Sequence, residues 1–306
     1  MDQTELADQF ELHRRRLVGV AYRMLGSVAE AEDVVQDAWV RLARTEAQVD
    51  ELGAWLTTVV SRLCLDRLRS ARARREQYVG PWLPEPLVHD LAGHAVGPAE
   101  LVEVDESVRL ALLVVLERLS AEQRVAFVLH DVFDVPFGEV AEVLGTSPAA
   151  ARQHASRARR AVHAEAPATA PPPAGQSEVV EAFFRAAAGG DLHALTRTLA
   201  PDVVLISDGG GRARAALRPI HGTDKVARFL LGLAGYYPGV PFSGRPVLVN
   251  GEIGLVVQVR PDPAGPPDVS VVVPHVGADG LVHGIDVLRN PEKLGDLEAL
   301  ARLGGG

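Results

Sequence analysis

The chain has 306 residues, a net charge of −9 and 47% apolar residues, enough to bury real cores in two or three domains. No run is long and apolar enough to span a bilayer, no basic-then-apolar export signal opens the sequence, and the single cysteine, Cys64, excludes intramolecular disulfides and cysteine-rich zinc sites. These features fit a cytoplasmic protein with neither membrane nor metal partner. The acidic total argues at first sight against a nucleic-acid binder, but placement of charge matters more than its sum.

Up to about Ala164 the pattern is helical. Phe10, Leu17, Ala21 and Met24 recur at helical spacing until Gly26. Ser27 is placed to cap the next helix and Glu30 to complete a capping box, typically worth about 0.5–2 kcal/mol. Ala31, Val35, Ala38, Trp39 and Leu42 form that helix's apolar stripe. A third helix is predicted from about Gly53 through Arg75, with Leu56, Val59, Val60, Leu63 and Leu68 apolar. Its second half turns basic, with Arg62, Arg67, Arg69, Arg72, Arg74 and Arg75 against Asp66 alone. Prolines 81, 84 and 86 then force extended or turned backbone from Tyr78 to Leu87. Helical patterning returns from about Leu101 to Leu119, Ser120 caps the following helix, and a compact three-helix pattern runs to His163.

Within that pattern Phe137 to Ser147, followed by Pro148 to Val162, has the spacing of a DNA-binding helix-turn-helix. Val140 and Leu144 are core positions, Ala141 is small where two helices cross, Gly145 makes the turn, and Ser147 with Pro148 opens the second helix. Ala151, Ala155, Ala158 and Val162 point inward. Ala149, Arg152, Gln153, Ser156, Arg157 and Arg160 occupy the opposite face. Arg and Gln near the start of such a helix suit base edges, while Arg157, Arg159 and Arg160 lie later and suit phosphates.

The Pro/Ala-rich stretch 165–177 is a semi-rigid spacer. Beyond it helices are predicted at Glu178–Ala188, Leu192–Leu199 and Thr223–Leu233. Strands are predicted at Val203–Ile206, Val247–Val249, Ile253–Val259, Val269–Val273 and Leu281–Leu288, which together make an α+β unit.

Taken together, these segments resemble the extracytoplasmic-function (ECF) sigma factors of RNA polymerase. Leu17–Ser27 with Glu30–Leu42 is similar to the family's region 2 core, Ala54–Arg62 with Asp66–Arg69 to its −10 segment, and the helix-turn-helix to region 4. The resemblance implies core RNA polymerase and promoter DNA as partners. It implies that Glu32, Asp33, Gln36 and Asp37 face polymerase, and that Arg152, Gln153, Ser156, Arg157 and Arg160 read the −35 element. It further implies that Asp50, Trp55, Arg62, Arg67 and Arg69 read the −10 element, the loop Gln48–Gly53 holding a flipped base. Trp55 serves equally well as a core residue.

Trp82–Pro86, Asp208–Arg212 and Asn290–Leu294 resemble three signatures of the SigJ-type subfamily, whose members carry a fused SnoaL-like domain of the nuclear transport factor 2-like cone fold. The implied organisation is region 2 over 1–77, an extended connector over 78–105, region 4 over 106–164, a linker over 165–177 and the SnoaL-like α+β domain over 178–306. Regulatory contacts are expected from Trp82, Pro84, Glu85 and Pro86, from Asp208, Gly210 and Arg212, and from Asn290, Pro291 and Lys293. The expectation is that the tail and the glycine loop touch the connector and set how compact the protein is. A small ligand in the last domain is a further option. Catalysis is not expected and no cofactor is called for, because His221, Asp224, His275, His283 and Asp286 form no recognisable acid/base pair by spacing. The alternative for the whole chain is a helix-turn-helix repressor with a ligand domain. Against it, a repressor has no use for a second basic helix following an acidic one.

Overall fold

A computed structural model describes residues 3–45, 50–75, 78–90, 95–96, 108–164, 175–234, 242–260, 268–294 and 297. Gln48, Val49, the side chains of Arg72, Arg74 and Arg75, most of the expected connector beyond Asp90, and the spacer 165–174 lie outside the described residues. The chain forms two compact units. One comprises Met1–Gln77, Pro98–Val108 and Leu112–Glu165; the other comprises Tyr78–Gly97, Arg109–Ala111 and Ala166–Gly306.

The helical unit contains α1 (Gln3–Leu25), α2 (Val28–Ala43), α3 (Leu52–Arg75), most of α4 (Leu110–Glu117), α5 (Ala121–Phe127), α6 (Phe137–Leu144) and α7 (Pro148–Ala164). Its core includes Leu17, Tyr22, Leu56, Val60, Val125, Leu129 and Val140, each burial worth roughly 1.5–3 kcal/mol for an aliphatic side chain. Ser27 Oγ accepts from the Glu30 amide at 3.3 Å, and Ser120 with Gln123 makes a complete capping box. Between α5 and α6 the regular pattern is interrupted by a π turn at Val128–Val132, ending near Asp134 with φ 55. Arg124 of α5 is buried and joins α1 to α4. Its guanidinium donates to the Met24 carbonyl (2.9 Å) in the last turn of α1 and to Leu116 O (2.8 Å), and pairs with Glu117. Burial lowers its pKa to about 9, and the negative end of α1 favours the remaining charge.

Among the described residues the second unit has eight strands: β1 (Val88–His89), β2 (Ala95–Val96), β3 (Leu199–Asp208), β4 (Ile220–His221), β5 (Phe242–Val249), β6 (Glu252–Val259), β7 (Asp268–Val276) and β8 (Val282–Leu288). Their order is β2-β1-β5-β6-β7-β8-β3-β4, antiparallel throughout except for the parallel pair β3–β8. The helices α8 (Gln176–Ala188), α9 (Leu192–Thr198) and α10 (Thr223–Ala234) contribute Val180, Phe183, Leu195 and Val226 to a core shared with Leu205, Ile285 and Val287 of the sheet. This is the α+β class expected. A short helix, α11 (Pro291–Leu294), follows β8. Asn250-Gly251, with φ 52 and 82, makes the two-residue turn between β5 and β6 that an Asn-Gly pair favours.

The stretch expected as an extended connector is incorporated differently. Tyr78–Gly97 belongs to the α+β unit, and Val88 and His89 pair with Val249 and Leu248 on the edge of β5. Leu83, Leu87 and Val88 are fully buried there, so an apolar segment and an open strand edge satisfy one another.

Candidate nucleic-acid interface and connector site

In the helix-turn-helix, α6 ends at Gly145 in the left-handed conformation (φ 63), and Ser147 Oγ accepts from the Ala150 amide at 3.2 Å to start α7. Ala151, Ala155 and Ala158 are fully buried, which turns Arg152, Gln153, Arg157 and Arg160 outward; Ser156 is half-buried. Val162 is only partly covered. The Arg152 guanidinium stands 5.4 Å from the ring centre of Phe137 at the start of α6. Arg159 corrects the expectation of a free phosphate contact, since it pairs with Asp131 at 3.0 Å and holds α7 to the π turn.

On α2, Asp33, Gln36 and Asp37 are exposed while Glu32 pairs with Arg14 at 3.5 Å. On α3, Arg67 turns back toward α2, donating to Glu30 O (3.1 Å) and Asp37 (3.3 Å). Arg62 and Arg69 are exposed, and Trp55 is half-buried beside Asp50 in a cleft of about 490 Å³. Cys64 is buried beneath this surface, where burial pushes its thiol pKa up and leaves it unreactive.

In the α+β unit the three signature segments meet at one carboxylate. Asp208, wholly buried, accepts from Tyr78 OH (2.6 Å) and Gly210 N (3.0 Å) on one oxygen, and from Leu83 N (2.8 Å) and Lys293 Nζ (2.7 Å) on the other. Lys293 also donates to the Leu83 carbonyl and lies 4.0 Å from the Trp82 ring centre. Asn290 donates to Tyr78 OH at 3.0 Å, and its Oδ1 accepts from Glu292 N. Gly210 sits at φ 60 with Asn290 2.5 Å from where a Cβ would be, so a side chain there would collide with Asn290. Pro84 and Pro86 are buried, Glu85 half-buried, Pro291 exposed, and Arg212 pairs with Glu292 at 2.6 Å on the surface. Burial, and then the hydrogen bond to Asp208, raises the Tyr78 pKa.

A second buried cluster was not visible in the sequence pattern. Arg109 pairs with Glu252 at 2.7 Å, Glu252 lies 3.3 Å from His275 Nδ1, and His275 Nε2 lies 2.8 Å from Asp286. All four are nearly or fully buried. Burial works against the charge on His275, but Glu252 and Asp286 outweigh it and hold its pKa above that of a free imidazole. His283 is paired with Asp279 and Asp202, Asp224 with Arg228, and His221 is exposed. Asn250 is also buried, its Oδ1 accepting from Leu87 N at 3.0 Å and its backbone N–H donating to Leu87 O at 2.8 Å.

Two helical regions, one with an outward basic recognition helix, define a promoter-recognising protein of the sigma-70 class. Residues 9–74 match the family model for sigma-70 region 2 and residues 109–162 the model for region 4. The chain is 48% identical to the ECF RNA polymerase sigma factor SigJ of Mycobacterium tuberculosis over 93% of its length and 92% of that protein's. It is 36% identical to the probable ECF sigma factor SigI of the same species over 96% of both chains. The crystal structure of M. tuberculosis SigJ superposes with a TM-score of 0.76 at 43% identity, covering 95% of this chain and 98% of that one. The chain belongs to the ECF RNA polymerase sigma factors. As a member it binds core RNA polymerase and directs promoter recognition and transcription initiation, and nothing favours the repressor alternative.

Proposed function

We propose that this sigma factor works in the cytoplasm and reads the −35 element with Arg152, Gln153, Ser156, Arg157 and Arg160. It reads the −10 element with Asp50, Trp55, Arg62, Arg67 and Arg69, and offers Glu32, Asp33, Gln36 and Asp37 to polymerase. The α+β unit regulates these steps through Tyr78–Val88. The observation that carries this reading is the buried Asp208 carboxylate, which holds the connector segment at Tyr78 and Leu83 and the tail at Lys293. The helix-covered side of the sheet is filled by Phe183, Leu195, Leu205 and their neighbours, which favours regulation by contact over a bound small molecule.

In vitro transcription with core polymerase tests the reading. Lys293→Met is expected to change the level of initiation at promoters the wild-type factor uses, and the sign of that change is the sign of regulation. Wild-type output from a folded Lys293→Met protein would remove the connector as the control point. For the −35 element, Gln153→Ala is expected to lose about 1–3 kcal/mol of discrimination at one base pair. Arg160→Ala is expected to weaken all promoters alike and to reduce the salt dependence of binding. A scan of −35 variants separates the two patterns; the same profile for both would refute the assignment.

A further inference from the structure

The segment that leads into the helix-turn-helix carries two local irregularities. Val128–Val132 is wound as a π turn, and Asp134 takes φ 55, a left-handed conformation uncommon for a residue with a side chain. Two backbone bonds close the segment, from Phe133 N to Val128 O at 3.2 Å and from Val135 N to Leu129 O at 2.9 Å. Such irregularities concentrate where function requires a particular side-chain placement. Here the winding sets His130 against Phe137, the first residue of α6, with ring centres 3.7 Å apart and 33° between the planes. The His130 ring is itself fixed, because Nδ1 donates to the Val135 carbonyl at 3.0 Å. On α7, the Arg152 guanidinium lies over the same Phe137 ring, and Arg159 pairs with Asp131 of the π turn at 3.0 Å. Positions 152 and 159 are two helical turns apart, so they share one side of α7. The π turn and the start of α6 thus meet one row of side chains on the recognition helix.

We propose that Phe137, backed by His130, is a positioning residue for −35 recognition: it holds the Arg152 guanidinium in place before DNA arrives. The inference rests on the assignment of Arg152 to the −35 element. A long side chain on an exposed helix face loses rotamer freedom when it meets a base edge, and a guanidinium already seated on a ring loses less. The kind of contact matters as well. A carboxylate takes up the N–H donors of the guanidinium, as Asp131 does at Arg159. An aromatic ring attracts the charge without using those donors, so Arg152 keeps its fork for a base. The two arginines of one row therefore differ in role: Arg159 ties α7 to the π turn, and Arg152 is presented to DNA. Phe137 acts only through Arg152, so its influence is confined to the base pair that Arg152 reads.

The test measures initiation by the full-length protein with core polymerase on promoters carrying each single substitution in the −35 element. Arg152→Ala is expected to lose about tenfold discrimination at the base pair it reads. Phe137→Leu, which keeps an apolar side chain and removes the ring, is expected to lose about threefold at that same base pair and nothing elsewhere. His130→Gln, which keeps a donor for the Val135 carbonyl but no ring beneath Phe137, is expected to follow it. Phe137→Trp returns a ring and is expected to restore the discrimination lost in Phe137→Leu. In Phe137→Leu/Arg152→Ala the loss is expected to equal that of Arg152→Ala alone, because the ring has no guanidinium left to hold. A wild-type pattern for folded Phe137→Leu, a loss spread evenly over all positions, or additive losses in the double variant each overturn the inference. If Phe137→Leu does not fold, His130→Gln is judged by the same criteria. If Arg152→Ala costs no discrimination at any position, the −35 assignment falls and the inference with it. If Arg152→Ala costs discrimination and Phe137→Leu costs none, the assignment stands and the inference alone falls.

Discussion

Glu252→Ala is expected to destabilise the α+β unit by about 3–5 kcal/mol, the usual cost of removing one partner from a buried ion pair. Glu252 is 1% exposed and faces two cations, Arg109 at 2.7 Å and His275 at 3.3 Å. Without it Arg109 loses its 2.7 Å pair, and His275 loses one of its two carboxylates. Replacing the network by apolar residues of similar volume, as in Arg109→Met/Glu252→Leu/His275→Leu/Asp286→Leu, is expected to recover most of the loss, because the desolvation cost disappears with the charges. Urea unfolding followed by circular dichroism measures both. A Glu252→Ala midpoint equal to wild type would show that the network contributes nothing.

The same cluster sets a pH dependence with a definite sign. Burial works against the charge on His275, but Glu252 and Asp286 outweigh it and hold the pKa up at about 10, against about 6.5 for an unfolded histidine. A raised pKa contributes stability that is fully present below pH 6.5 and lost as pH rises through about 10. The wild-type melting temperature is therefore expected to fall across that window more steeply than that of His275→Gln. Parallel curves would contradict it. Burial pushes the Glu252 carboxyl up, yet His275 and Arg109 more than offset this and hold its pKa down. Its contribution is lost at the acid end, as pH drops through its lowered pKa.

Asp208→Ala is expected to release the connector segment, at a cost of about 3–5 kcal/mol, since Lys293 loses its buried counter-ion. The lysine side chain is 12% exposed and the carboxylate 0%, so water cannot readily replace the lost partner. The effect has a pattern along the chain. The Leu83 amide is bonded to Asp208, whereas the Leu87 amide is bonded to Asn250. Hydrogen exchange is expected to accelerate strongly at Leu83 and less at Leu87. Equal protection at Leu83 in wild type and variant would show that Asp208 does not hold this segment. Where exchange does accelerate, the transcription level of the same variant reports what release of the connector does to initiation.

Much of this architecture is local in origin, and local signals are readable from the chain. Ser27 and Ser120 cap helices, Gly145 turns the helix-turn-helix, and the alanines of α7 define its buried stripe, because each depends on neighbours within a few residues. The strands after the spacer follow from alternation and turn residues, with β3 and β7 running longer at both ends than their apolar cores indicate. The outward basic face of α7 was legible for the same reason. Arg159 was not, because its partner, Asp131, lies 28 residues earlier on the π turn.

What the sequence by itself determined is therefore the order of the longer helices and strands, the exposed basic face of α7, and the family signatures. Only the tertiary structure decided which charges are paired. Arg109 meets Glu252 across 143 residues, Arg124 reaches the end of α1 across 100, and Lys293 reaches Asp208 across 85. Val88 and His89, in a stretch expected only as an extended connector, joined a sheet because β5 presented an open edge. Periodicity records which face of an element is apolar. It does not record which distant group will meet a charge once water is excluded, and that meeting determines whether the charge destabilises the fold or holds it together.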